Sequence, residues 1–264
     1  MKQIFHLYLR NYYHLSLSII LLISFTYSSA GSVQNWYYAV WAGLATFFLY
    51  NYHSSLSLSF DTIKRTPFLI FLLAGSILTG FVLLKEHTVN LLFLFVACFF
   101  SFGYFRSLLP VQKPLREYIL IKPLVIGLVF AVLTALIPYI QIGYSISESA
   151  FLAVSRLCFV FALSITFDIG DIKEDSEKEV ITIPQKIGIT KSKVLACSLL
   201  LIAGLVDGYH AWIFLIEFPA LIVLYFTYIY TGILILFSGI QRPFWYYLLL
   251  VDGALGLPWL LSIF

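Results

Sequence analysis

The chain has 264 residues, of which 61% are hydrophobic and 11% charged, and its mean hydropathy is +0.95. A water-soluble domain is about half apolar and about a quarter charged, so this composition excludes a soluble globular enzyme, and 25 Phe with 18 Tyr exclude a disordered chain. A formal charge of +3 is too small to indicate nucleic acid, and Cys98, Cys158 and Cys197, each inside an apolar run, read as small buried hydrophobes. What remains is an all-α, polytopic membrane protein.

A helix that crosses a bilayer needs about 20 mostly apolar residues. Apolar runs between polar punctuation predict nine transmembrane helices, at 11–29, 36–58, 67–84, 88–105, 118–140, 149–168, 193–210, 212–237 and 243–263. Lys2 and Arg10 lead into a run without a small-residue cleavage signature, so the first segment is expected to remain as a helix. With no internal repeat and no low-complexity linker, residues 1–264 read as a single transmembrane helical domain. Trp36, Tyr37, Tyr38, Trp245 and Tyr246 near segment ends read as interfacial anchors. Interior Phe and Tyr are equally suited to line an apolar cavity, or to face a carbocation through their ring electrons.

Numbering the segments from a cytoplasmic N-terminus places fourteen of the 16 Lys and Arg inside. They are Lys2, Arg10, Lys64, Arg65, Arg106, Lys113, Arg116, Lys122, Lys173, Lys178, Lys186, Lys191, Lys193 and Arg242. Only Lys85 falls outside, and Arg156 lies within a segment. Positive residues are retained on the cytoplasmic side, so the expected topology is N-terminus in and C-terminus out. Two inside loops, about 106–117 and 168–193, are longer and more polar than a tight turn requires, and long connections in compact proteins often carry function.

The second of these loops opens on Asp168-Ile-Gly-Asp171-Ile-Lys-Glu-Asp175 and continues to Thr182-Ile-Pro184-Gln-Lys-Ile-Gly188. At about 100° per residue, Asp171 and Asp175 lie roughly 60° and 20° from Asp168 around a helix, so the three carboxylates share one face. Two readings follow. Hard oxygen ligands with open positions suit Mg²⁺ carrying a substrate phosphate; alternatively the segment is a solvated charged loop balanced by Lys173 and Lys178.

Asp-x-x-Asp-x-x-x-Asp at the end of a membrane helix, followed by Thr-x-Pro and a Gly before the next helix, resembles the UbiA superfamily of intramembrane prenyltransferases. The nine predicted helices, the inside N-terminus and the chain length fit the same family. The resemblance implies a UbiA-like helical bundle with a central cavity open sideways to lipid, in a bacterial cytoplasmic membrane. It also implies Mg²⁺-dependent transfer of a prenyl group from a prenyl diphosphate to an aromatic or lipid-forming acceptor. On that reading Asp168, Asp171 and Asp175 are the catalytic metal ligands.

The family carries a second motif, Asn-Asp-x-x-Asp-x-x-x-Asp, at the end of its second helix. Here Asn51 fits, but Tyr52, Ser55 and Ser59 stand at the acidic positions, and Asp61 comes two residues late. Ionising an allylic diphosphate puts negative charge on the leaving group, which metal ions stabilise, so half of the expected metal cage is missing. Asn51 and His53 are candidates to contact the substrate, against the alternative of polar residues satisfied within the bundle. Tyr104, Arg116 and Lys122 match the family's loop between helices four and five, where a Tyr, an Arg and a Lys hold the diphosphate. Arg106 and Lys113 are weaker candidates, and all these cations also serve simply to fix topology.

Ionisable groups at membrane depth need an explanation. Arg156 is roughly 18 Å from Asp168 along a helix, too far to share a phosphate, and is expected to pair with Asp252. Asp207 and Glu217 are expected near water at outer helix ends. Two functions remain in competition: an active prenyltransferase, and a catalytically degenerate relative that binds a prenyl lipid or a partner protein. A transporter has little support, because no broken helix pair interrupts the apolar segments. The charge distribution makes the topology testable. A reporter fused after Phe264 should be extracytoplasmic and one inserted near Lys178 cytoplasmic; both on one side would overturn the nine-helix arrangement.

Overall fold

The computed structural model describes residues 12–55, 75, 77, 79, 81–82, 85–105, 114–177, 180–214 and 218–263. Its elements are helical, and no strand occurs among the described residues. The longer helices are α1 (Tyr13–Ser29), α2 (Trp36–Ser55), α3 (Thr88–Phe105), α4 (Ile121–Ile142) and α5 (Ile146–Gly170). Two short helices follow, α6 (Ile172–Glu177) and α7 (Ile183–Ile187), and then α8 (Ile189–Phe214), α9 (Phe218–Phe237) and α10 (Tyr246–Leu261). Eight of the nine expected segments thus fall on described helices, while most of 67–84 lies outside the described residues.

Among the described residues, four helices are long and apolar enough to cross a membrane: Ile121–Ile142, Ile146–Gly170, Ile189–Ile213 and Pro219–Phe237. Helices α1, α3 and α10 are apolar but shorter. Helices α8 and α9 turn Leu201, Leu205, Trp212, Phe226 and Ile229 outward, a surface suited to lipid and not to water. Helix α5 lies at the centre, packed against α4 on one side and α8 on the other, with Phe159, Ile165 and Ile169 fully buried. Its start is fixed by a capping box, in which Ser145 and Glu148 satisfy each other's backbone N–H groups.

Helix α1 pins the bundle through two irregular neighbours. Helix α4 widens into a π-turn at Val132–Leu136, just before Pro138. Proline has no N–H to give to the carbonyls one turn back, so other groups must satisfy them away from water. Tyr38 of α2 donates its hydroxyl to the Leu133 carbonyl at 2.9 Å, and Thr26 of α1 donates to the Thr134 carbonyl at 2.8 Å. A second π-turn, Tyr246–Val251, opens α10, and there the Leu249 carbonyl accepts from His14 Nε2 of α1 at 3.0 Å. The apolar segments are therefore distorted without being broken.

At the end of the bundle remote from Asp168, Glu86 gathers a polar cap. It accepts from Asn90 Nδ2 at 2.8 Å and from the Gln141 side chain, whose oxygen in turn accepts from the Tyr27 hydroxyl. Several expectations change at this level. The 168–193 connection contains the two short helices α6 and α7 and is not an open loop. Cys98 is exposed, although Cys158 is buried. Trp36 and Trp245 are exposed as anchors should be, but Tyr38 and Tyr246 are buried because their hydroxyls satisfy carbonyls of neighbouring turns.

The Thr26 hydroxyl can be tested alone. Thr26→Val keeps the shape but leaves the Thr134 carbonyl unpaired, and should cost about 1–3 kcal/mol. Thermal unfolding in detergent should show the loss, and Thr26→Ser should recover most of it. An unchanged midpoint for the Val variant would remove the pin.

Candidate acidic site at the end of the central helix

Asp168 sits in the last turn of α5 and is 1% exposed. A buried carboxylate needs a counter-charge, and one arrives from the start of α4. Lys122 Nζ lies 2.7 Å from Asp168 Oδ1 and 3.3 Å from Asp175 Oδ2, bridging the two acids. Pro123 is tolerated beside it, because backbone N–H groups in a helix's first turn have no partner within the helix. Asp175 comes from α6, which follows α5 after Asp171, its N–H donating to the Asp171 carbonyl at 2.8 Å. The other oxygen of Asp168, Oδ2, is buried with no hydrogen-bond partner.

Asp171 caps α5, with its N–H donating to the Phe167 carbonyl at 3.0 Å. Its carboxyl is exposed at the helix end, yet its pKa is raised to about 7. Desolvation among the packed helix ends is the main cause and the Asp175 charge the next, while Lys122 acts in the opposite direction. Water at the exposed edge screens part of this effect. Immediately before it, Gly170 leaves room for the Tyr247 ring, since an added Cβ would stand 2.6 Å from that ring. The Tyr247 hydroxyl in turn clasps Gly239, accepting from its N–H and donating to its carbonyl.

The Thr182-Ile-Pro184 motif has a local role. It starts α7, where Gln185 Oε1 accepts from the Thr182 N–H at 2.8 Å, and Gly188, at φ +85°, ends the turn. A positive φ is strained for residues with a Cβ, so glycine belongs there. Gln185 Nε2 then reaches back to Ser176 and the Ile172 carbonyl, so α7 holds α6, and with it Asp175, in place.

The other expected site residues divide. Asn51 is buried at the end of α2 and donates its amide to the Phe47 carbonyl at 2.9 Å, a bond within its own helix. Tyr104 lines a small, open, mainly apolar cleft between α2, α3 and α4, with Tyr50, Ser101, Val125 and Val129. His53 and Arg116 lie on described backbone, in α2 and in the turn Leu115–Glu117, but their side chains lie outside the described set. Ser59, Asp61, Arg106, Lys113 and Glu217 lie outside the described residues.

Two further residues belong to this end of the bundle. Asp252 of α10 is buried and close enough to interact with Asp171, and Tyr50 interacts in turn with Asp252 and Tyr104. Polar groups therefore run from the cleft to the acidic end. This corrects the expected Arg156–Asp252 pair, which does not occur among the described residues. Arg156 instead faces Asp207, with its Nη2 3.4 Å from the Thr26 hydroxyl. Asp207 is buried away from water and accepts from the Tyr228 hydroxyl at 2.6 Å. An acid in the middle of an apolar segment was the signal for Asp252; what the sequence lacked was the neighbour it faces.

The donor chemistry fits one hard cation: two carboxylates already meet at a single positive charge, and Asp168 Oδ2 has no other partner. Among the described residues, no three His, Cys, Asp or Glu side chains converge as a metal set, although Asp171 is near enough to feel the charges of Asp175, Lys122 and Asp168. No family model, curated protein or solved structure matches the chain.

The raised pKa of Asp171 carries a sign. Its carboxyl binds a proton more tightly folded than unfolded, so its contribution to stability is complete below about pH 4 and is lost as the pH rises through about 7. Asp171→Asn should therefore unfold at a higher temperature than the parent at pH 8, with the gap closing at pH 4. Parallel melting curves across that range would show that Asp171 is an ordinary surface acid.

Proposed function

We propose that the chain is a UbiA-like intramembrane prenyltransferase, which moves a prenyl group from a prenyl diphosphate to an aromatic or lipid-forming acceptor. The observation that carries this reading is the Asp168–Asp175 pair, with Asp168 buried, already gathered around one positive charge at the end of a membrane-length helix. The small apolar cleft lined by Tyr104 and Tyr50 lies on the same helix, α4, that carries Lys122. The proposal includes nine transmembrane helices in a bacterial cytoplasmic membrane, with the N-terminus inside and the acidic end facing the cytoplasm.

Asp168 and Asp175, with Asp171 on the same helix end, would hold Mg²⁺, which would supply positive charge against the departing diphosphate. Arg116 and Lys122 bind the phosphate oxygens, while Tyr104, Asn51 and His53 face the substrate from the neighbouring helices. The packed helices exclude water, so that the allylic carbon meets the acceptor and not solvent.

A second reading has its own support. Lys122 already supplies the acidic pair with a positive charge from the protein itself, and the second acidic motif is replaced by Tyr52, Ser55 and Ser59. Both features suit a degenerate relative that binds a prenyl lipid or a partner protein without turnover.

Release of diphosphate from a prenyl diphosphate by purified protein separates the two. An enzyme should require Mg²⁺, lose activity in Asp168→Asn, and slow by about 10²–10³ in Arg116→Ala, since one preorganised charge donor contributes about that factor. A binder should show no turnover, yet prenyl diphosphate should still raise its melting temperature by mass action. Neither turnover nor stabilisation would end both readings.

A further inference from the structure

We propose that Lys122 is the resident counter-ion of the Asp168–Asp175 pair, and that a divalent cation reaches those carboxylates only by displacing it. The inference rests on the reading of this end as a cation and diphosphate site, and assigns the regulation of that site to one side chain. Lys122 Nζ stands 2.7 Å from one acid and 3.3 Å from the other, which is where a cation bridging both would have to lie. Divalent ions of the Mg²⁺ class approach carboxylate oxygens more closely than an ammonium does. Two cations cannot share that space, because like charges at such separations repel far more strongly in a protein interior than in water.

Local helix electrostatics do not explain the pair. Asp168 is an acid in the last turn of α5, and Lys122 is a base in the first turn of α4. Each lies at the helix end whose dipole disfavours its charge. They answer each other, and residues 123–131 of α4 supply no further polar side chain to share the load. The choice of residue also fits release: a lysine is a point charge on a flexible stem, without the rigid two-pronged grip of arginine. The buried, unpartnered Asp168 Oδ2 gives an incoming ion an oxygen that Lys122 does not use.

The test is a titration of purified full-length protein in detergent with Mn²⁺ alone, followed by the loss of its free-ion paramagnetic resonance signal. Lys122→Gln should bind one Mn²⁺ about tenfold or more tightly than the parent, the gain expected from removing a like charge from the site. Adding Asp168→Asn to that variant should abolish the gain. In the unmutated protein, amine labelling of Lys122, read by peptide mass spectrometry, should rise several-fold in saturating Mn²⁺. Unchanged or weaker Mn²⁺ affinity in Lys122→Gln overturns the proposal. So does the absence of saturable Mn²⁺ binding in both proteins, or labelling that ignores Mn²⁺. If the variant fails to fold, the labelling result decides. Mn²⁺ displacement without any effect of prenyl diphosphate would sink the proposed function while leaving the exchange intact; diphosphate release with Lys122 indifferent to Mn²⁺ would do the reverse.

Discussion

The contact between Lys122 and Asp168 sets the terms for everything at its end of the bundle. A carboxylate that is 1% exposed inside an apolar assembly cannot remain charged without a partner. Among the described residues that partner is Lys122, which brings the start of α4 against the end of α5. Helix α4 packs along α5 for much of its length, and the ion pair fixes the register of that packing. Asp175 joins because α6 follows directly on the helix end and is held there by Gln185 of α7. Breaking one side of such a pair leaves the other charge buried alone, which is far more costly than the pair's own net contribution. The site and the fold therefore depend on the same three side chains.

A different constraint governs the rest of the chain. In a lipid environment, each backbone group must find its partner within the protein. The two π-turns release carbonyls from their helices, and α1 answers with Thr26 at one level and His14 at another, about 18 Å apart along its axis. Buried polar side chains elsewhere follow the same rule, as Asp207 does with Tyr228 and Glu86 with Asn90 and Gln141. Hydroxyl, imidazole and amide groups thus act as local replacements for water.

How much of this could be read from the sequence depended on the range of the physical cause. Helix positions follow from the length and apolarity of local runs, and eight of the nine expected segments fall on described helices. The facing of Asp168 and Asp175 follows from helical periodicity, which is also local. Their joint capture by Lys122, some fifty residues away, is a tertiary event that no periodicity encodes. The error over Arg156 has the same origin: its segment and that of Asp252 were correctly seen to carry buried charges, but depth alone did not say which helices would be neighbours. Thr182 and Pro184 illustrate the opposite case, since a motif noted for its family resemblance has a sufficient local reason in starting α7.

The π-turn in α4 also divides that helix into two unequal mechanical parts. Within it, the Leu133 and Thr134 carbonyls are tethered to α2 and α1; before it, residues 123–131 carry only apolar side chains, held by packing. The stretch from the tethered turn to Lys122, ten residues or about 15 Å of helix, therefore carries the ion pair at one end and the cleft residues Val125 and Val129 along its length, so that the acidic end and the apolar cleft share one helical wall.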